Sequence, residues 1–344
     1  MKLVMTGGAG FLGYHLCAKL APLYHEICVV DIAAINPAEY PGNVRGFRTD
    51  VRDAAGLARA FNGADVVVHA AASLPLWRRK DILTTNIEGT ANTLETARTL
   101  GIPRVVFISS TAVYGIPKEH PLYETSALQG VGPYGESKII AERICEGYRR
   151  KGLCVPVIRP KTFIGTGRMG VFQILYDWVK SGLRIPMIGS GSNRYQLLEV
   201  EDLVDAVQKA LTLPEERVND VFNIGATDYG TVREDLSALC QYAGTGARPV
   251  ATPATFAKSA LALLWTLRLS PLYKWVYATA DRDSFVSTEK AKAQLHWRPK
   301  YSNAQALIRS YQWFLEHEPE VAREGFTHRA PWKQGILALL KRLM

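Results

Sequence analysis

The sequence predicts an α/β protein built on a doubly wound parallel sheet, followed by a smaller, mostly helical C-terminal part. Three observations predict it. Through the first 160 residues, short continuous apolar runs alternate with helical stretches. Strands buried on both faces of a parallel sheet read as unbroken apolar runs, and the helices between them supply the crossovers. The first run ends in a glycine cluster that opens a helical stretch. Beyond Pro160 the rhythm breaks into glycine-punctuated loops and then into longer helical patterns.

The expected strands are Leu3–Met5, Ile27–Asp31, Val66–Ala70, Val105–Ser109 and Val155–Arg159. The helices expected between them are Phe11–Leu23, Ala54–Phe61, Thr84–Leu100 and Gly135–Lys151. Gly165, Gly167, Gly170, Gly189 and Gly191 then punctuate the chain around one helix, Val171–Ser181. A helix Glu201–Leu211 and a short strand Val221–Ile224 follow, and the remainder reads as mainly helical with no repeat period. The expected division is a nucleotide-binding domain over 1–161, to which about 199–227 return. The second domain is then 162–198 and 228–344.

Composition bounds the function. The 344 residues are 47% hydrophobic and 21% charged, which excludes a disordered, collagen-like or coiled-coil chain. No apolar run approaches the roughly 18 residues of a membrane-spanning helix. The five cysteines (Cys17, Cys28, Cys145, Cys154, Cys240) are scattered and lack metal-knuckle spacing. They read as buried thiols of a reducing compartment, with no metal site and a cytoplasmic location. The net charge is +9, and from Thr255 onward 14 Lys/Arg face 7 Asp/Glu. No basic run carries interleaved aromatics, so the charge points to a phosphorylated small molecule rather than nucleic acid.

Residues 3–13 read Leu-Val-Met-Thr-Gly-Gly-Ala-Gly-Phe-Leu-Gly. Gly7, Gly10 and Gly13 suit a tight turn, a close backbone approach to a pyrophosphate, and helix–strand packing. Phe11 and Leu12 open the helix, whose N–H groups and dipole would attract the phosphates. Asp31 ends the second strand 18 residues beyond Gly13, placed to bind both ribose hydroxyls and so to favour NAD over NADP.

Tyr134 and Lys138 lie four apart at the start of a helix and share a face. A cation beside a phenol favours the phenolate, and a phenol tuned in this way exchanges protons near neutral pH. The strand Val105–Ser109 ends in Ser109, Ser110 and Thr111. That is the edge where open α/β sheets place ligands, and a hydroxyl there would bond the same substrate oxygen as Tyr134.

Together these segments resemble the extended short-chain dehydrogenase/reductase superfamily, in its NAD-dependent epimerase/dehydratase branch. The resemblance runs along nearly the whole chain and implies a Rossmann-type sheet and NAD. It implies that Asp50 and Val51 flank the adenine, that the backbone of Ala70, Ala71 and Ala72 lines the cofactor, and that Asn86 and Ser109 belong to the same site. Tyr134 is then the acid/base, Lys138 tunes it and holds the nicotinamide ribose, and Pro160 lies near the nicotinamide. Ser110 is the hydroxyl partner, with Thr111 as the fallback. Arg194, in Gly-Ser-Gly-Ser-Asn-Arg-Tyr-Gln, and Arg282 match arginines that hold a nucleotide-sugar diphosphate. Their forked donors suit phosphate oxygens.

Some positions depart from the branch. Dehydratases carry Asp-Glu where this chain has Thr111-Ala112, and typical 4-epimerases carry Asn at Thr162. The favoured activity is a 4-epimerase of a nucleotide-sugar, working through a transient keto intermediate. The alternative is a dehydrogenase of a hydrophobic alcohol, like the hydroxysteroid dehydrogenases; a non-catalytic NAD sensor is the third reading. A homodimer through the helices around Asn86 and Tyr134 is expected from the family. The apolar segments Phe256–Leu269 and Pro271–Tyr277 and the cationic amphipathic tail 331–344 suit docking on the protein, or contact with an anionic membrane surface.

Overall fold

The computed structural model describes residues 1–266, 277 and 279–317. Its strands are β1 (Lys2–Thr6), β2 (Glu26–Asp31), β3 (Val44–Arg48), β4 (Val66–His69), β5 (Val105–Ile108) and β6 (Val157–Pro160). They continue with β7 (Thr162–Ile164), β8 (Arg184–Ile188), β9 (Leu197–Glu199), β10 (Val221–Ile224) and β11 (Arg248–Thr252). Seven form one sheet in the order β10-β6-β5-β4-β1-β2-β3, with every neighbouring pair parallel. From β1 the chain winds outward to β3, then crosses back to place β4 on the other side of β1. Ligands of open α/β sheets bind in the crevice at such a switch point, outside the carboxyl ends of the strands.

Helices cover both faces, as the unbroken apolar strands require. One face packs Leu3, Met5 and Val68 against Leu16 and Leu20 of helix Phe11–Leu20 and Leu203 and Val207 of helix Val200–Thr212. The other packs Val4, Val67 and Phe107 against Leu57, Phe61, Leu94, Ala141 and Cys145. Ile164, Tyr176, Trp178, Leu239, Leu307 and Phe314 form a separate core beside the small sheets β7–β9 and β8–β11. All five cysteines are buried and free.

The structure departs from the sequence expectation in several places; β7, β8 and β9 lie in the stretch read as glycine-punctuated loops around one helix. β3 is an additional edge strand whose Arg45 and Gly46 are exposed, so it carries no apolar run. The expected helix Thr84–Leu100 is broken by a π-turn at Thr84–Glu88 between helices Arg79–Leu83 and Gly89–Thr99. β11 lies in the region read as mainly helical. Among the described residues no helix is long and apolar enough to cross a membrane. The tail 331–344, and Pro271–Tyr277 apart from Tyr277, lie outside the described residues.

A buried ion pair ties helix Gly132–Arg149 to the sheet. Glu142, on helix Gly132–Arg149, meets Arg159 of β6 at 2.5 Å, with side chains only 7% and 4% exposed. Arg159 also donates to the Tyr114 hydroxyl (2.8 Å) and the Glu124 carbonyl (3.0 Å), and Glu142 accepts the Ser109 hydroxyl. Removing one member leaves an uncompensated buried charge. Arg159→Met is therefore expected to lower unfolding free energy in urea by about 3–5 kcal/mol. A loss below about 1 kcal/mol would contradict this role for the pair.

Candidate active site

The carboxyl edge of the sheet collects most of the residues singled out in the sequence. β1 runs into the glycine loop. Gly7 sits at φ +74°, and a Cβ there would lie 2.6 Å from the Ala71 nitrogen. A Cβ at Gly13 would lie 2.4 Å from Gly8 Cα. Both glycines are thus demanded by the protein's own packing. Gly10 differs: its Cβ would meet only the Gly7 carbonyl, at 3.2 Å. Its missing side chain leaves room on the open side of the loop. Helix Phe11–Leu20 starts there without a side-chain cap, and the N–H groups of a first helical turn have no intrahelical acceptor. A pyrophosphate fits this cradle.

Asp31, at the end of β2, accepts N–H bonds from Ala9 (3.0 Å) and Ala33 (3.0 Å), so it also braces the glycine loop. Burial raises its pKa against those bonds. The β3 side is different. Both carboxylate oxygens of Asp50 are engaged by Arg52, at 2.6 Å for the shortest contact, and that pair lowers the Asp50 pKa. Val51 is buried, and its β-carbon branch is what a Cβ at Gly89 would strike.

β4 ends in His69, which is held between Thr6 Oγ1 (2.7 Å) and Thr90 Oγ1 (3.1 Å). Burial, aided by the Lys138 charge, pushes its pKa down to about 3, so it is neutral. Ala70, Ala71 and Ala72 continue from it along the glycine loop; the Ala70 nitrogen bonds the Thr6 carbonyl at 3.1 Å. Asn86 lies in the π-turn, where the local widening turns its amide inward. It accepts from the Ser73 nitrogen (2.8 Å) and donates to Ser137 Oγ (2.9 Å), which in turn donates to the Tyr134 carbonyl (2.8 Å). Asn86 thereby links β4's loop to the helix carrying Tyr134.

Ser109 directly follows β5, and its hydroxyl turns inward to Glu142. Ser110 caps the short turn Thr111–Tyr114 and its side chain interacts with the Tyr134 hydroxyl. Thr111 Oγ1 donates to the Pro160 carbonyl at 3.3 Å, joining the ends of β5 and β6. Lys138 is buried; its Nζ donates to the Ile108 carbonyl at 2.8 Å and lies 6.0 Å from the Tyr134 ring centroid. Burial lowers the Lys138 pKa to about 8.

One electrostatic expectation is corrected. The sequence reading has Lys138 holding the phenol below its ordinary pKa. In this pocket burial dominates and pushes Tyr134 up to about 12, with Ser110 opposing the rise. Desolvation penalises the phenolate, and the ammonium aims at a carbonyl rather than at the phenol oxygen.

The two arginines come from distant segments that run side by side. The Ser284 nitrogen bonds the Arg194 carbonyl (2.9 Å), and Asn193 Nδ2 donates to the Arg282 carbonyl (2.9 Å). The Arg194 guanidinium stacks on Tyr229 (4.8 Å) and Phe285 (5.2 Å). Arg282 is exposed. Thr162 Oγ1 lies 3.3 Å from the Tyr195 hydroxyl. A residue absent from the sequence reading also stands here: Lys161, directly after Pro160, is buried against Tyr195 and Ser284.

The model of the NAD dependent epimerase/dehydratase family matches residues 3–225. The chain is similar to the uncharacterized protein y4nG of Sinorhizobium fredii, 35% identical over 98% of this chain and 85% of that one. It is similar to a UDP-glucose 4-epimerase of Lacticaseibacillus casei, 28% identical over 93% of this chain and 98% of that one. Among solved structures it resembles UDP-glucose 4-epimerase with UDP-glucose from Thermotoga maritima. The TM-score is 0.77 at 26% identity, over 92% of this chain and 100% of that one.

The glycine geometry separates two roles. Gly13→Ala is expected to destabilise the fold by about 1–3 kcal/mol, because backbone must move. Gly10→Ala is expected to keep stability within about 1 kcal/mol while weakening NAD binding in titration calorimetry. Unchanged NAD affinity in Gly10→Ala would contradict the cradle.

Proposed function

Because the chain belongs to the NAD dependent epimerase/dehydratase family, we propose that it is a sugar-nucleotide 4-epimerase with Tyr134 as its acid and base. NAD is the cofactor. The glycine loop and the first-turn N–H groups of Phe11, Leu12 and Gly13 would hold its pyrophosphate, and Asp31 the adenosine ribose. The backbone of Ala70–Ala72 would line it, Lys138 would hold the nicotinamide ribose, and Pro160 would stand beside the nicotinamide. Bound NAD supplies the hydride acceptor and, when oxidised, a positive charge.

The protein's own part is the proton. Tyr134 takes the proton of the sugar hydroxyl as that carbon is oxidised and returns it when the alcohol is restored. Ser110 bonds the same oxygen and keeps it against the phenol. A phenol with a pKa near 12 is protonated at neutral pH, so the base form needs added positive charge near it. Lys138 already stands in this pocket and does not by itself bring the phenol down.

The observation that carries the reading is the residue pair beside Ser110. Thr111 and Ala112 offer no carboxyl group, so no carboxylic acid stands next to Ser110 as a second acid beside Tyr134. One carrier suffices to remove and return a hydroxyl proton, whereas expelling water needs another. The adjoining Arg194 and Arg282 segments support a diphosphate-bearing substrate, as does the likeness to the Lacticaseibacillus and Thermotoga enzymes.

The NAD-loaded protein is expected to interconvert a UDP-sugar and its 4-epimer, followed by NMR, without growth of reduced-nicotinamide absorbance. Stoichiometric cofactor reduction would instead indicate a dehydrogenase. Tyr134→Phe is expected to slow interconversion by about 10²–10⁴-fold while NAD stays bound. Arg194→Ala is expected to weaken UDP binding about tenfold, the scale of one lost charged hydrogen bond; equal affinity would remove the diphosphate role.

A further inference from the structure

Lys161 is 3% exposed, and among the described residues no carboxylate lies within ion-pair distance of it. Its Nζ donates to Ser284 Oγ at 2.7 Å and lies 5.0 Å from the centroid of the Tyr195 ring. An ammonium carries three donors, and a hydroxyl and a ring face do not neutralise it. Burial accordingly lowers its pKa to about 7. A buried charge without a counter-charge is costly, so the protein alone gives no reason for a lysine here.

Its neighbours sharpen the point. His120 lies close enough for Lys161 to depress its pKa, in addition to burial, while Asp283 works in the other direction. His120 Nε2 is buried without a hydrogen-bond partner. Its ring packs 4.9 Å from that of Phe285, which also lies under Arg194. Asp283 is exposed, and its carboxylate accepts the Arg194 backbone nitrogen at 2.8 Å. The location is also defined. Lys161 follows Pro160, whose carbonyl meets Thr111 next to Ser110, and it packs on Tyr195, next to Arg194. It therefore stands between the acid/base and the arginine segment, where the sugar of a nucleotide-sugar would lie.

The geometry points to an anion subsite built from Lys161, Ser284 and His120, which receives a carboxylate carried on the sugar ring, so that the substrate is a nucleotide-linked uronic acid. This rests on the nucleotide-sugar reading above. The substrate carboxylate replaces the missing counter-ion of Lys161 and uses the Nε2 of His120 that the protein leaves unbonded.

The test is titration calorimetry of the NAD-loaded full chain with UDP, UDP-glucose and UDP-glucuronate. The expected result is at least tenfold tighter binding of UDP-glucuronate than of UDP-glucose. Lys161→Met should abolish that preference and leave UDP affinity unchanged. UDP binding without any preference in the wild-type protein overturns the uronate subsite alone. A Lys161→Met variant that loses UDP, UDP-glucose and UDP-glucuronate equally also overturns it, since Lys161 then serves the diphosphate. No binding of UDP itself removes the nucleotide-sugar reading and the subsite with it. The wild-type comparison stands without the variant, so a folding defect in Lys161→Met leaves the inference exposed to disproof.

Discussion

The Glu142–Arg159 pair is the constraint on which the site depends. Glu142 lies one helical turn beyond Lys138 and two beyond Tyr134, on the same face of helix Gly132–Arg149. Arg159 belongs to β6, and Ser109, which donates to Glu142, directly follows β5. The pair therefore fixes the height and rotation of the helix against two strand ends at once. Arg159 further engages Tyr114, whose hydroxyl donates to Asn223 of β10 at 2.7 Å. A displacement of the helix would break charged, buried bonds throughout this network, which is why the phenol stays beside Ser110.

Charge in the crevice is distributed by burial. His69, under the groove, is held neutral between two threonine hydroxyls. Two further buried cations, Lys138 and Lys161, are each lowered in pKa by desolvation and each bonded to a neutral oxygen rather than to a carboxylate. Lys138 faces the phenol side and Lys161 the arginine side. An anion beside either ammonium would relieve the cost of burying it.

Much of this was legible in the sequence. The central strands announce themselves because burial on both faces removes polar residues from them. The glycine loop and the Tyr134–Lys138 spacing are local and survive folding unchanged. What escaped reading has tertiary causes. β3 is half exposed and carries Arg45, Gly46 and Arg48, so it lacks an apolar signature. The π-turn that swings Asn86 inward depends on what its amide meets, Ser73 and Ser137, which lie far apart in the chain. The phenol's raised pKa follows from burial by residues that the motif does not contain. Lys161 carries no signal of its own in the sequence, because its burial is created by Tyr195 and Ser284, more than thirty residues away.

The most direct measurement follows deuterium placed at C4 of a UDP-sugar turned over by the NAD-loaded protein in ordinary water. A protein in which Tyr134 moves only the hydroxyl proton, while the carbon-bound hydrogen leaves and returns as hydride, retains the label at C4 of both epimers. Loss of the label to solvent would mean that the carbon–hydrogen bond is broken by a base, and the assignment of Tyr134 and its surroundings would be wrong.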